Sequence, residues 1–414
     1  MATEAYDELE RRPPETRERE LFRALPGLIA HARAQAPYYG QMLADIAVDE
    51  IVDRAALARL PVTRKSELHE LHRRSPPFGG LLAVPAGQLA RIFVSPGPTY
   101  DPEGRARDYW RSARALFAAG FRAGDIVQNC FSYHLTPAGS MFETGLAELG
   151  CAVIPAGTGQ TEIQVTTMAA LRVTGYVGTP SFLKLILDKA TELGADLGAL
   201  RVALVSAEPF LAPVRELLQA RRIDAYEVYG TADLGLVAYQ TSARAGLVVD
   251  EGVIVELVRP GTGEPVADGD VGELVVTSFS REYPLIRFAT GDLSRVVPGP
   301  SPCGRTNMRI AGWMGRADQV TKVRGQFVHP HHVAEVLRRV PAVRQARVVV
   351  ENQDGADRMR VLCVLADVPG SDELRGEIER AIRDVTRLRG EVEFVEPGAL
   401  PGDGKVIVDE RSIG

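Results

Sequence analysis

The chain has 414 residues, a formal net charge of -6 and 45% apolar against 25% charged residues. That is the composition of a globular protein long enough for one large domain and a smaller one. The mild acidity leaves no footprint for nucleic acid or an anionic membrane surface, so an anionic ligand needs a locally basic site. No apolar run reaches the roughly 18 residues of a membrane-spanning helix, and the charged start MATEAYDELERRPPETRERE lacks the apolar core of a secretory signal. The four cysteines (Cys130, Cys151, Cys303, Cys363) form no close pair, which fits a reduced, cytoplasmic setting.

Residues 17–46 predict a helix broken at Pro37, with Leu21, Leu25, Leu28, Ile29 and Ala32 at helical spacing. LPVTRKSEL (60–68) reads as a turn and a helix capped by Thr63 or Ser66. From Ile92 strands and helices alternate. RIFV, DIVQNCF, CAVIPA, GYVGT and VALVSA read as buried strands; 108–120 and 181–193 read as helices. Alternation of this kind predicts a parallel sheet covered by helices. Near Gly246 the period changes to two. GLVVDEGVIVELV, GELVVTSF and DLSRVV predict an antiparallel, barrel-like subregion. After Gly315 a small α+β unit follows, with helices over 331–340 and 371–388. The fold class is therefore α/β: a large N-terminal domain over 1–317 and a small C-terminal domain over 318–414.

Five stretches concentrate chemistry. In Ser95-Pro96-Gly97-Pro98-Thr99-Tyr100-Asp101-Pro102, hydroxyls and backbone amides can meet phosphate, although strand-exit turns commonly have this composition. Tyr229-Gly230-Thr231-Ala232-Asp233 offers a ring to stack, a close backbone approach and an acid for Mg2+; a buried Tyr and a capping Asp is the plainer reading. Asp292, in a tight turn at a strand end, can accept two ribose hydroxyls or simply bind its own backbone. Arg316, Asp318 and Arg324 flank glycines at the domain boundary, and Lys405 sits in a glycine loop where it can reach a carboxylate or α-phosphate. Each of these charged residues also reads as ordinary solvated surface.

The order of these stretches resembles the phenylacetate–CoA ligase branch of the adenylate-forming superfamily. APYYGQML, LPVTRKSEL, GCAVIPAGTGQTEIQV, GYVGTPSFL, AEPF, YGTADLG, LIRFATGDL, GRADQVTKVRGQFVHP and GDGKV carry the likeness over nearly the whole chain. The resemblance implies ATP-dependent activation of a small aryl or apolar carboxylic acid to an acyl-adenylate. Transfer to coenzyme A follows, with ATP, Mg2+ and CoA as cofactors. It implies that Tyr229 stacks on adenine, with Gly230 and Thr231 beside it and Glu208 lining the adenine side. Asp292 would bind the ribose, Arg316 the ribose or phosphate, and Arg324 the cofactor. Ser95, Gly97 and Thr99 would hold phosphate, Asp233 Mg2+, and Lys405 the carboxylate and α-phosphate. Tyr133, Gly157 and Gly159 would face the acid, and Asp318 would be the hinge of a mobile C-terminal domain.

The departures are local. The family's phosphate loop, Ser-Ser-Gly-Thr-Thr-Gly-Lys-Pro, has Asp101 here in place of its Lys, and Pro96 and Pro98 remove two amide donors. Weaker triphosphate binding, or another cation, is expected. Asp233 replaces a longer Glu, and Cys303 alone remains of a metal site found in some relatives, so no structural zinc is expected. Another acceptor (an amine or a carrier protein) and a catalytically impaired nucleotide-binding homologue are the alternatives. A homodimer is the default association.

Overall fold

The computed structural model describes all residues except 1–3, 96, 97, 318, 320, 329, 354, 355, 367, 402–404 and 412–414. Gly97 and Asp318, both expected at functional positions, therefore lie outside the described residues. The chain forms two compact units: Met1–Phe210 with Arg215–Trp313, and Leu211–Val214 with Met314–Gly414.

The larger unit is built on a nine-stranded sheet. Its parallel part runs in the order Ala152–Pro155, Ile126–Asn129, Gly175–Gly178, Val202–Val205, Asp224–Thr231. Gly175–Gly178 and Val202–Val205 read apolar and are buried throughout, because a parallel strand covered on both faces has no solvent side; the edge strand Ala152–Pro155, expected buried, is partly exposed. The sheet then turns antiparallel through Gly235–Gln240 and Leu247–Val249. A second sheet pairs Val253–Val258, Gly272–Ser278 and Phe288–Ser294, with Thr63–Arg64 added in parallel on the last.

Several expectations are corrected here. The N-terminal helix runs Pro14–Gln35 with Pro26 in its interior, and the break expected at Pro37 is present: Pro37 opens a separate short helix, Pro37–Met42, at the first helical position that suits proline. The helix Leu68–Arg74 has no side-chain cap from Thr63 or Ser66; a 3-10 turn, Lys65–Glu67, leads into it. RIFV does not join the parallel sheet. Arg91–Ser95 pairs with Thr99–Glu103 as a two-stranded hairpin, which accounts for its partly exposed side chains.

The smaller unit has a four-stranded sheet in the order Glu391–Phe394, Ala356–Leu365, Val343–Gln353, Ile407–Asp409, and a hairpin of Thr321–Val323 with Gln326–Val328. Helices Pro330–Arg339 and Asp372–Thr386 complete it, and Val336, Val348, Val361, Ile378 and Ile382 fill its core. Ser371 caps the second helix by accepting from Leu374 N. Among the described residues no helix is long and apolar enough to cross a membrane.

Candidate active site

Two sheets of the larger unit bring Tyr229 and Asp292 together. The Tyr229 hydroxyl donates to Asp292 Oδ2 at 2.8 Å, and Trp313 Nε1 donates to Asp292 Oδ1 at 3.0 Å. Asp292 does not sit in a turn at a strand end. It lies inside Phe288–Ser294 where the register slips: Glu273 faces Leu293, but Val275 already faces Ala289. Gly291 at φ 77° makes this bulge, and Thr290 Oγ1 accepts from Asp292 N at 3.1 Å. The residue is 8% exposed, and its carboxylate is held by a donor on each oxygen. A carboxylate oxygen can accept more than one hydrogen bond, so both can also take hydroxyls from a ligand.

The second cluster lies where the hairpin of Arg91–Ser95 and Thr99–Glu103 meets the turn between Asp224–Thr231 and Gly235–Gln240. Asp233 sits in that turn, and Lys65 Nζ reaches its Oδ2 at 2.5 Å; the carboxylate side chain is 2% exposed. Thr231 Oγ1 donates to the same oxygen at 3.3 Å. Asp101, on the returning hairpin strand, is 1% exposed and accepts from Ser95 Oγ at 2.5 Å. Burial, and next the Asp233 charge, push the Asp101 carboxyl up to about 7, opposed by Ser95 and Lys65. His72 accepts from Tyr100 N at 3.2 Å and stacks near its ring. The Tyr283 hydroxyl, in the field of Asp233 and Asp101, and His72 Nε2 are both buried with no hydrogen-bond partner among the described residues. Such orphaned polar atoms beside two carboxylates suit a polar ligand.

A third group surrounds the loop after Ala152–Pro155. Gly157 and Gly159 take φ 66° and 80°, which favours glycine. Gln164 Nε2 locks the loop by donating to both of their carbonyls, at 3.0 and 2.8 Å. Tyr133 is half-buried, and its hydroxyl accepts from Asn129 Nδ2 at 2.8 Å. Burial and Glu143 push its phenol pKa well up, so it stays neutral. Phe131 and Phe142 stack on each other with ring centroids 5.0 Å apart inside the core. His134 is exposed.

Glu208 accepts from Ser181 N at 2.6 Å, which ties its segment to the start of helix Pro180–Leu193. Thr99 is half-buried and pairs with Ser95 across the hairpin; Gly230 and Thr231 precede Asp233 in the chain. Arg316 (half-buried), Arg324 and Lys405 (both exposed) belong to the smaller unit. There the backbone N–H of Arg324 donates to Asp357 Oδ2 at 2.9 Å.

Residues 107–280 match the family model described as AMP-binding enzyme. The chain is 31% identical to the phenylacetate–coenzyme A ligase of Aromatoleum evansii, covering 92% of each chain. It is 30% identical to the enzyme of the same name from Thermus thermophilus, covering 94% of this chain and 95% of that one. The chain belongs to the phenylacetate–CoA ligase family. It is an AMP-forming acid–CoA ligase, which activates a carboxylic acid with ATP as an acyl-adenylate and passes the acyl group to CoA. In fold it is similar to a 2-hydroxyisobutyryl-CoA ligase solved with its acyl-adenylate and CoA (TM-score 0.84, 22% identity, 98% of this chain and 92% of that chain).

The resemblance singles out the ribose acid and its aromatic neighbour. It does not single out Lys65, Asp101, Gln164 or Trp313 as site residues. Lys65 stands inside LPVTRKSEL, a string that carries the likeness, so its position is visible in the sequence but its partner is not.

Proposed function

We propose that this ligase takes an aryl or apolar acid, that Tyr229, Asp292 and Trp313 hold the nucleoside, and that Lys65, Asp101 and Asp233 manage the phosphate end. The observation that carries the reading is the doubly anchored Asp292 carboxylate, with Tyr229 bonded to it. Its two oxygens accept the two ribose hydroxyls, and the Tyr229 ring offers an edge for the base.

A carboxylate is a poor acyl donor because its leaving oxygen is unstable. Its attack on the α-phosphorus breaks the bond to pyrophosphate and makes a mixed anhydride with AMP, which is a good leaving group. Little covalent work falls to the protein in such a step; positioning and charge neutralisation do the rest. Lys65 supplies the cation that the hairpin lacks, since Asp101 stands where a lysine is expected. Lys405 is assigned to the acid carboxylate and α-phosphate. Arg316 supports the ribose or phosphate, and Ser95 and Thr99 offer hydroxyls to the departing pyrophosphate.

The hard carboxylate oxygens of Asp233, beside the orphaned Tyr283 hydroxyl, fit Mg2+. Asp233 would hold the ion, which when bound neutralises phosphate charge. The acid is assigned to the loop of Gly157 and Gly159 and to Tyr133, whose ring offers an apolar wall. Glu208 lines the adenine side, and Arg324 serves the cofactor. The CoA thiol then attacks the anhydride carbonyl and AMP leaves. The protein acts as a soluble, cytoplasmic enzyme.

A panel of aryl and short aliphatic acids with ATP and CoA, scored for AMP release, tests the reading. Arylacetates and benzoates are expected to release AMP faster than acetate. A preference for short polar acids would contradict the substrate class.

A further inference from the structure

Gln164 lies on helix Thr161–Ala170, is 5% exposed, and packs against the loop that carries Gly157 and Gly159. Its side-chain amide offers two N–H groups and two lone pairs, and the fold uses all four. Nε2 donates to the Gly157 and Gly159 carbonyls. Oε1 accepts from Gln128 Nε2 at 2.9 Å and from the Cys130 thiol at 3.1 Å. Both loop partners are carbonyls, which only accept, so the amide has one workable orientation.

Gln128 and Cys130 flank Asn129 at the end of strand Ile126–Asn129. Asn129 holds the facing side chain, Tyr133. Its Nδ2 donates to the Tyr133 hydroxyl and to the Gly139 carbonyl, both at 2.8 Å, while its own carbonyl accepts from Gly157 N at 3.0 Å. Three consecutive residues of one strand end therefore fix the spacing between the loop and the ring. That spacing is narrow: a Cβ placed on Gly157 would stand 4.0 Å from Tyr133 Cδ2.

Filling the core does not by itself explain this arrangement. Gln128 Oε1 is buried with no hydrogen-bond partner among the described residues, a cost that an apolar side chain would avoid. The polar bridge has a use because the loop turns two carbonyls inward, and buried carbonyls need donors. We infer that Gln164 is a positioning residue for the acid. Seated on Gln128 and Cys130, it sets the gap between the loop 157–159 and Tyr133, and with it the width of acid that the ligase accepts. The inference rests on the assignment of that loop and Tyr133 to the acid.

The test uses the full-length enzyme with Gln164→Met, which keeps the length of the side chain and loses every bond of the amide. Gln164→Glu keeps the accepting oxygen and stands in if the first variant does not fold; thermal melts decide this. KM for the acid should rise roughly tenfold, the scale of a lost buried hydrogen bond, while KM for ATP stays at its wild-type value. The ratio of kcat/KM between a wide and a narrow acid, chosen as the two that wild type uses best, should change by a similar factor. Unaltered constants in a folded variant overturn the inference. So does a rise in KM for acid and ATP alike with the acid ratio unchanged, which is what a merely structural role gives. Tyr133→Leu separates the underlying reading. If it changes the acid ratio and the Gln164 variants do not, the positioning role alone falls. If neither changes the ratio, the loop and Tyr133 do not meet the acid, and the assignment falls as well.

Discussion

Lys65 Nζ stands 2.5 Å from Asp233 Oδ2, and the two residues are separated by 168 positions in the chain. The pair lies next to the hairpin of Arg91–Ser95 and Thr99–Glu103, whose own acid, Asp101, is buried and has its pKa raised to about 7. One cation thus stands beside two acids at the place where, on the proposed reading, pyrophosphate leaves. Lys65→Met would strip Asp233 of this ion pair and the departing phosphates of their cation. A loss of roughly 100-fold in ATP–pyrophosphate exchange is expected, the scale of removing one charge-stabilising donor. A thermal melt checks that the variant is folded. A folded variant with unaltered exchange would show that the ion pair is only structural.

Asp101 gives the pH dependence its sign. In the unfolded chain its pKa is the ordinary 3.8; in the fold, burial and then Asp233 raise it to about 7. The folded state therefore holds a proton that the unfolded state has released between those values. The stabilisation is complete below about pH 4 and is lost as pH rises through about 7. Compared with Asp101→Asn, the wild type should lose relative stability from about pH 4 to 7 and then run parallel. Denaturant midpoints of both proteins at about pH 4.5, 6 and 8 measure this. Parallel curves throughout would contradict it.

Arg287 tests the frame behind the site. It is 1% exposed, pairs with both oxygens of Glu256 at 3.0 Å, and donates to the carbonyls of Ala58, Leu60 and Gly263. Arg287→Ala leaves Glu256 buried and without this partner, at a cost of about 3–5 kcal/mol. The denaturant midpoint should drop accordingly, whereas breaking an exposed pair such as Arg338–Glu335, screened by solvent, should leave it nearly unchanged.

Much of this was legible in the sequence, and the exceptions have physical causes. The parallel strands announced themselves because full burial demands unbroken apolar runs, as in VALV. RIFV has the same look, but its hairpin partner, Thr99–Glu103, reads TYDPE and has no apolar run to reveal the pairing. Asp292 was found by its motif, yet the bulge that presents it depends on register with Gly272–Ser278, which period alone does not encode. Asp101 stood out in the sequence as an acid in place of the family's lysine, but its burial did not; Lys65 and Gln164 escaped for a related reason. Their meaning lies in partners 168 and 7 residues away, which count only once the fold brings them together.

Lys405 and Asp292 should separate the half-reactions. Lys405→Ala is expected to lose adenylation while still forming thioester from a supplied acyl-adenylate. Asp292→Asn should instead raise KM for ATP roughly tenfold. Asparagine presents only one acceptor oxygen to Tyr229 and Trp313, both of which donate. Pyrophosphate exchange and single-turnover thioester formation measure the two. Equal exchange by Lys405→Ala and wild type would refute its assignment.

Asp292 is the centre of the proposed nucleoside site, so a crystal structure with bound AMP or acyl-adenylate tests that site most directly. Both ribose hydroxyls should lie within hydrogen-bond distance of the Asp292 carboxylate, with Tyr229 against the base. A nucleotide seated with its sugar away from Asp292 would contradict the assignment of every other residue at the site.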